Sequence, residues 1–232
     1  MRVLICFLLL GIAPAFADQK DYVVTVSGFN AGVLSVSDSS DTRNYRVAAR
    51  VVSRGLAAFF GRTVYEGSAD GRIRNGRLLP SRYSGQITSG DRFSRVALAY
   101  RNNTPRIVDY TPSPPAEVFV INPATQRGTV DILTSAYWVF RERPAAELCD
   151  LSYNGFDGIR RTQVTLGPPL KKGEKIVCEG VYSRVAGFSE RALRRGSDFP
   201  LTLTYIPGPK GYILEEISAK TVFGSARVRL TQ

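Results

Sequence analysis

Most of the chain alternates between apolar and polar residues over short runs that are separated by turn-forming residues. The run around Tyr45 and Val47 is one example, because its apolar side chains fall on every second position. A period of two is typical of strands that bury one face of a sheet. Asp70-Gly71 and Asn75-Gly76 are strong hairpin signals between such runs. The regular spacing predicts an all-β antiparallel fold, either a barrel or a sandwich, with one or two short helices.

One longer segment follows a helical period instead. Leu133, Tyr137 and Phe140 fall near positions i, i+4 and i+7 of a predicted helix that Thr129 or Asp131 caps. A second, shorter helix is predicted after Ser189.

The longer helix also provides a candidate ligand site. In a β-barrel, a single helix with an apolar stripe is typical of a plug or lid near the barrel mouth. This interpretation makes Tyr137, Trp138 and Phe140 candidate cavity residues. The alternative is that these aromatic side chains fill the core.

The N-terminus has the pattern of a secretory signal peptide. Arg2 precedes an uncharged apolar run over residues 3–12, and Ala15-Phe16-Ala17 matches a small-x-small cleavage site. The run is shorter than the roughly 20 residues that cross a bilayer. The sequence therefore predicts a signal peptide over residues 1–17 and an exported, soluble domain over residues 18–232, in a bacterial periplasm. An N-terminal anchor that stays attached is the alternative.

Positive charge is concentrated in one part of the chain. Residues 43–106 contain thirteen arginines and three acidic residues, a net charge of +10, whereas the rest of the predicted mature chain is neutral. Two groups of arginines share a face of their strand-like runs: Arg46, Arg50 and Arg54, and Arg72 and Arg74. One interpretation is a face that binds an anionic envelope component or lipid. The other is the solvated outer face of a sheet. The predicted export argues against nucleic acid as a partner, and no recognition motif is present.

The two cysteines of the predicted mature chain, Cys149 and Cys178, favour a disulfide in an oxidising compartment over two free thiols. In a flat meander the two would lie two strands apart, about 9–10 Å. A disulfide requires Cα atoms within about 7 Å. The bond therefore requires that the strand between them peels away or that the sheet coils strongly.

The sequence has no histidine, which excludes Ser-His-Asp catalysis and histidine-ligated zinc or haem. No metal-ligand spacing or phosphate-binding glycine motif occurs, so neither a metal nor a cofactor is expected. The remaining catalytic possibility is a pair of carboxylates. Candidates for such a pair are Asp109, Asp131, Asp150, Asp157, Glu215 and Glu216.

Three stretches carry a family resemblance: NPATQRGTVDILTSAYW (122–138), CDLSYNGFDGIRRTQVTL (149–166) and the segment from EGVYSRVAGFSERALRR to FPLTLTY (179–205). They resemble the uncharacterised bacterial domain-of-unknown-function family numbered three thousand one hundred and eight, which is common in exported alphaproteobacterial proteins. The resemblance implies an envelope protein with an antiparallel spiral β-barrel, similar in architecture to envelope integrity protein B. It implies no catalytic residues.

Two functions follow as hypotheses. The first is a non-catalytic periplasmic protein that binds an apolar or amphipathic ligand or an envelope partner, with a role in envelope integrity. The second is a carboxylate-dependent hydrolase or transferase that acts on envelope material.

The signal peptide is directly testable. We expect N-terminal sequencing of the exported protein to begin at Asp18, because cleavage follows the Ala15-Phe16-Ala17 site. Recovery of Met1 at the N-terminus of the exported protein would show that the segment is retained.

Overall fold

The computed structural model describes residues 18–55, 58, 61–114 and 120–231. The predicted signal peptide, residues 1–17, lies outside the described residues. The described chain is mostly β, with fourteen strands and two short α-helices. The strands are β1 (Asp18–Val26), β2 (Phe29–Ser40), β3 (Asn44–Ser53), β4 (Thr63–Arg74), β5 (Arg77–Ser89), β6 (Arg92–Arg101), β7 (Thr104–Thr111), β8 (Leu151–Phe156), β9 (Arg161–Leu166), β10 (Leu170–Lys172), β11 (Lys175–Ala186), β12 (Asp198–Gly208), β13 (Gly211–Thr221) and β14 (Gly224–Leu230). The helices are α1 (Ile132–Phe140) and α2 (Glu190–Arg194).

All strands belong to one antiparallel sheet. Its order is β7-β6-β5-β4-β3-β2-β1-β14-β13-β12-β11-β9-β8, and β10 pairs with the other end of β11. Two consecutive meanders, β1–β7 and β8–β14, are therefore joined side by side through β1 and β14, where Tyr22 lies opposite Leu230. No ladder joins β7 to β8 in the described part of the chain. The predicted barrel is thus a curved sheet that hydrogen bonds do not close.

The gap between the two ends of the sheet, β7 and β8, is called the seam. The segment that leads into α1 lies in this gap. On one side the amide of Gly128 donates to the carbonyl of Asn103, in the β6–β7 turn, at 2.8 Å. On the other side the amide of Val130 donates to the carbonyl of Asn154 at 2.9 Å, and the amide of Phe156 donates to Val130 at 2.8 Å. These bonds connect both halves of the sheet without a ladder between β7 and β8.

The alternation in β3 places Tyr45, Val47 and Ala49 on the buried concave face and Arg46 and Arg50 on the exposed convex face. This arrangement follows from the period of two along a strand. The concave face and α1 together form the core. Its most buried large side chains are Tyr22, Tyr137, Tyr205, Phe156, Leu98, Leu148 and Leu214.

The predicted hairpin at Asp70-Gly71 is wrong. Both residues lie inside β4, at a shift of register against β5. A Cβ at Gly71 would lie 2.5 Å from the hydroxyl of Tyr45, so a side chain here would displace that ring. The Asp-Gly pair therefore serves a bulge and a close approach. The turn at Asn75-Gly76 is confirmed, with positive φ angles of 50° and 72° at its two central residues.

Both predicted helices are present. Asp131 caps α1 by accepting from the amides of Leu133 and Thr134, and Ser189 caps α2. The apolar stripe of α1 faces the concave side of the sheet, where the helix contacts β3, β4, β5, β8 and β13. The ring of Tyr137 stacks on that of Tyr45 with centroids 4.9 Å apart, and the rings of Phe140 and Tyr22 meet edge to face with the same distance between centroids.

A disulfide joins Cys149 and Cys178, with their Cα atoms 5.4 Å apart. The strand between them, β9, ends at Leu166, so no strand separates the two cysteines at this level. Asp150 takes a positive φ of 55° and donates its amide to Gly167, which turns the chain before β8 toward β11. The sequence left open two ways to bring the cysteines together, and the structure shows the first: the middle strand, β9, leaves the sheet before it comes between them.

Removal of the disulfide should lower stability without loss of the fold. The bond closes a loop of 29 residues, and a loop of this size is worth about 3 kcal/mol through the unfolded state. We expect Cys149→Ala/Cys178→Ala to lower the free energy of unfolding by about this amount in urea. Reduced wild-type protein is the matched control and should lose the same amount. Two free thiols in the unfolded, unreduced wild type would contradict the bond.

Candidate functional site

The seam contains a cleft of about 540 Å³, bounded by the β4–β5 turn, α1 and β8. We call it the seam cleft. Its wall is mixed: Leu79, Trp138 and Leu151 provide apolar surface, whereas Arg77 and Asn103 provide hydrogen-bond donors. Its volume lies within the roughly 300–1,000 Å³ that small-molecule sites occupy.

Trp138 is the single tryptophan of the sequence and lies half-buried in the wall of the seam cleft. Two guanidinium groups pack near its indole: the Cζ atoms of Arg141 and Arg143 lie 4.6 Å and 5.4 Å from the centroid. Cations at these distances are attracted to the negative face of the ring. The indole Nε1 is buried and has no hydrogen-bond partner among the described residues.

Arg143 is a buried cation, with 2% of its surface exposed. Its Nη2 donates to the carbonyl of Leu148 at 3.3 Å and to the hydroxyl of Tyr205 at 3.1 Å. Its Nε and Nη1 have no partner among the described residues. Burial lowers the pKa of the guanidinium. Its position just after the C-terminus of α1 offsets part of this cost, because a helix C-terminus favours a positive charge.

Asp131 is fully buried at the opposite end of the helix. Its Oδ1 accepts from the amides of Leu133 and Thr134 at 3.0 and 2.8 Å, and its Oδ2 accepts from the Thr134 hydroxyl at 2.7 Å. The Thr134 hydroxyl also lies 2.8 Å from the hydroxyl of Tyr45. Since Thr134 donates its proton to the ionised Asp131, Tyr45 donates to Thr134. Burial raises the pKa of Asp131 to about 6 in spite of these bonds.

A group of exposed arginines lies at the end of the sheet that carries the β2–β3, β4–β5 and β6–β7 turns. Arg77 lines the seam cleft itself, and Arg46 lies farther out, beside Arg72. None of them has an ion-pair partner among the described residues. A second cleft, of about 550 Å³, shares Leu79 and Asn103 with the seam cleft and so continues it. We call this group the arginine rim; it consists of Arg46, Arg72, Arg74, Arg77 and Arg127.

The carboxylates that the sequence left as catalytic candidates are not assembled into a buried pair. Asp131 is the one buried carboxylate in the described residues. Asp109 pairs with Arg95, and Glu215 pairs with Lys175. Glu216 pairs with Arg229. Asp131 itself caps α1, so its oxygens are occupied by helix donors.

The described residues contain neither a metal-binding cluster nor a membrane-spanning helix. They contain no cluster of three or more histidine, cysteine or acidic side chains with the geometry to hold a metal ion. None of the helices in this part of the chain is long and apolar enough to cross a membrane.

The family described as "Protein of unknown function (DUF3108)" matches residues 21–231, nearly all of the predicted mature chain. The chain belongs to the DUF3108 family. The resemblance drawn from the three sequence stretches is thereby confirmed. No curated protein matches the chain.

Among solved structures, this DUF3108 chain is similar to the crystal structure of a beta-barrel-like protein of domain of unknown function DUF1849 from Brucella abortus. The two share 10% sequence identity, and the match covers 92% of this chain and 95% of that one with a TM-score of 0.53. The likeness is one of fold alone. The hypothetical protein CT021 from Chlamydia trachomatis aligns over 93% of this chain and 86% of its own at 8% identity, with a TM-score of 0.24.

The structure of this DUF3108 protein separates the aromatic candidates. Trp138 lines the seam cleft. Tyr137 and Phe140 are buried at 1% and 6% exposure and pack on Tyr45 and Tyr22 in the core. Neither of these two lines the clefts described above.

The five candidate arginines are separated as well. Arg46, Arg72 and Arg74 belong to the arginine rim, whereas Arg50 pairs with Glu66 at 2.9 Å farther along the sheet. Arg54 follows the end of β3 at the opposite end of the molecule.

Arg77 and Arg127 are rim residues that the sequence analysis did not select. The Asn75-Gly76 turn could have indicated Arg77, because a two-residue hairpin places it directly opposite Arg74. Nothing in the local sequence indicates Arg127. It reaches the rim because the seam segment bonds to the β6–β7 turn through Gly128.

The buried carboxyl of Asp131 should make stability depend on pH. Its pKa of about 6 in the folded state is above the ordinary value of 3.8, so the folded state binds the proton more tightly. The free energy of unfolding therefore falls as pH rises from about 4 to about 6, by an amount on the order of 2–3 kcal/mol.

Asp131→Asn keeps an acceptor for the helix amides but removes this charge. Relative to wild type, we expect the free energy of unfolding of Asp131→Asn to rise progressively between about pH 4 and about pH 6 and to level off near neutral pH, as measured by urea unfolding. Asp131→Ala, which loses the cap, should be less stable than Asp131→Asn throughout by about 1 kcal/mol. A difference between wild type and Asp131→Asn that does not change with pH would contradict this account.

Proposed function

We propose that this protein is a non-catalytic binding protein of the bacterial envelope that holds an amphipathic, anionic ligand at the seam cleft. The observation that carries the proposal is the arginine rim beside the cleft that contains Trp138. Its guanidinium groups are exposed and have no carboxylate partner among the described residues, so they are available to an anion. The cleft beside them offers indole and leucine surface.

The two parts of the site suit the two parts of such a ligand. Guanidinium groups bind phosphate and carboxylate oxygens through paired donors. Arg77 lines the seam cleft itself, and Arg127 lines the adjoining cleft, so a headgroup between them could extend an acyl chain toward Trp138 and Leu151. The buried cation Arg143 behind the indole adds positive potential to the same wall, whereas Arg141, which also packs on the indole, is paired with Glu147.

The proposal also includes the finer architecture expected from the sequence. In this proposal the curved sheet around α1 is a spiral barrel. The seam forms the mouth of the barrel, and the helix lies near it. The predicted signal peptide and the disulfide support a periplasmic location. The family resemblance drawn from the sequence implies an architecture similar to envelope integrity protein B, and this supports a role in envelope integrity. No observation in the described residues favours the carboxylate-dependent hydrolase or transferase.

The single tryptophan provides a direct test of binding. We expect titration with monomeric lysophosphatidylglycerol, a single-chain anionic lipid, to change the Trp138 emission in a saturable way. Arg77→Ala/Arg127→Ala should weaken this binding about tenfold or more, because each charge-assisted contact contributes about 1.5–3 kcal/mol. Neutral lysophosphatidylcholine should bind more weakly to the wild type.

Arg106→Ala/Arg191→Ala is the matched control, since it removes the same charge from exposed positions outside both clefts, where neither arginine has an ion-pair partner among the described residues. It should bind lysophosphatidylglycerol as the wild type does. If both double variants weaken lipid binding equally, the arginine rim acts only through the net charge of the protein, which would contradict a specific site. An emission that does not respond to lipid would reject the proposed site.

A further inference from the structure

The end of the sheet opposite the arginine rim exposes large apolar side chains on its turns. Phe223, in the β13–β14 turn, is 76% exposed, and Phe29, next to the β1–β2 turn, is 62% exposed. Because β14 lies beside β1, these two turns are neighbours. The hydroxyl of Ser27 donates to the carbonyl of Phe223 at 2.9 Å, and the amide of Ser27 donates to Ser225 at 2.7 Å. The two turns therefore form one fixed unit.

A third turn at the same end repeats the feature. The β1–β2, β3–β4 and β5–β6 connections all lie here, because consecutive strands of the meander reverse direction. Phe93, next to the β5–β6 turn, is 48% exposed. We call Phe29, Phe93 and Phe223 the aromatic tips. Exposed apolar residues that are grouped at one end of a molecule indicate a surface that another body covers.

Basic residues surround the aromatic tips. They are exposed, and none has an ion-pair partner in the part of the chain that the structure describes. The acidic residue within these turns is Asp91. The basic residues are Arg54, Arg62, Arg92, Lys220 and Arg227.

We propose that this end of the molecule docks on the surface of an anionic lipid bilayer. Aromatic side chains partition into the interfacial region of a bilayer, and nearby arginine and lysine side chains bind anionic headgroups. The tips project from separate turns, so each can enter the interface while the strands behind them stay folded. The apolar tips match the interfacial region of the bilayer, and the positive charges around them match its anionic headgroups.

A second copy of the chain fits this end less well than a bilayer does. In a two-fold dimer the same patch meets itself, so Arg92 and Lys220 would face the equivalent basic residues. Like charges across an interface are unfavourable. An anionic bilayer has the opposite charge.

Docking through the aromatic tips places the arginine rim on the far side of the molecule. Strands such as β2 and β4 each contain 12 residues, and at about 3.3 Å per residue they extend about 40 Å. The seam cleft would then open away from the bilayer that the tips contact. The inference does not depend on the proposed ligand of the seam cleft, because the two surfaces lie at opposite ends.

The experiment is flotation of the chain that begins at Asp18 with vesicles. We expect binding to vesicles with about one third phosphatidylglycerol in phosphatidylcholine, and weak binding to phosphatidylcholine alone. Phe29→Ser/Phe223→Ser should lower the partition coefficient about tenfold or more. Val108→Ser/Leu170→Ser is the matched control, because its side chains are 60% and 41% exposed elsewhere, and it should bind as the wild type does. All variants should unfold at the wild-type temperature, since the replaced side chains lie outside the core.

The rim variant Arg77→Ala/Arg127→Ala separates this inference from the proposed function and should float as the wild type does. Equal flotation of wild type and Phe29→Ser/Phe223→Ser would overturn the docking surface, as would absence of wild-type binding to anionic vesicles. A dimer in sedimentation velocity that disappears in Phe29→Ser/Phe223→Ser would assign the tips to a second copy instead.

Discussion

The hydrogen-bonded chain from Tyr45 through Thr134 to Asp131 is the contact on which the rest of the structure depends. The fourteen described strands form a sheet in which no ladder between them closes a barrel, so its concave face must be filled and its two ends must be covered. Helix α1 and the segment before it do both. The cap at Asp131 begins the helix, and Thr134 joins it to β3 in a region where an unpaired polar group would be costly. The stripe of Leu133, Tyr137 and Phe140 can then pack on the sheet.

The same helix has a buried carboxylate at its N-terminus and a buried guanidinium beyond its C-terminus. Both charges have the sign that the helix dipole favours, yet Asp131 and Arg143 have no ion-pair partner among the described residues. Hydrogen bonds and the dipole therefore offset the cost of burying them, in place of a salt bridge. The buried charge of Arg143 also affects the surface. Arg143 packs near Trp138 and so adds positive potential behind the wall of the seam cleft.

The sequence predicted the features that short-range rules govern. These features are the helix cap at Thr129 or Asp131, the turn at Asn75-Gly76 and the Cys149–Cys178 pair. Each depends on local chemistry or on the compartment. The bulge at Asp70-Gly71 was missed because its cause is the ring of Tyr45, on another strand. The seam was missed because it depends on which strands end a sheet, a property of the whole topology. The sequence could not separate Trp138 from Tyr137, because both are aromatic residues beside the same apolar stripe. Which of them faces the core and which faces a cleft depends on how the helix packs on the sheet.

The two proposed binding surfaces lie at opposite ends of the molecule. The seam cleft and its arginine rim, at one end, bind the ligand, and the aromatic tips, at the other end, bind the bilayer. The central claim is that the seam cleft holds an amphipathic anionic ligand. Native mass spectrometry of the protein isolated from the bacterial periplasm, its predicted location, tests this claim most directly. The account predicts a population heavier than the polypeptide by the mass of one acidic lipid, which Arg77→Ala/Arg127→Ala should lose. A spectrum that contains only the mass of the polypeptide, from protein that is folded and has its disulfide, would contradict the claim.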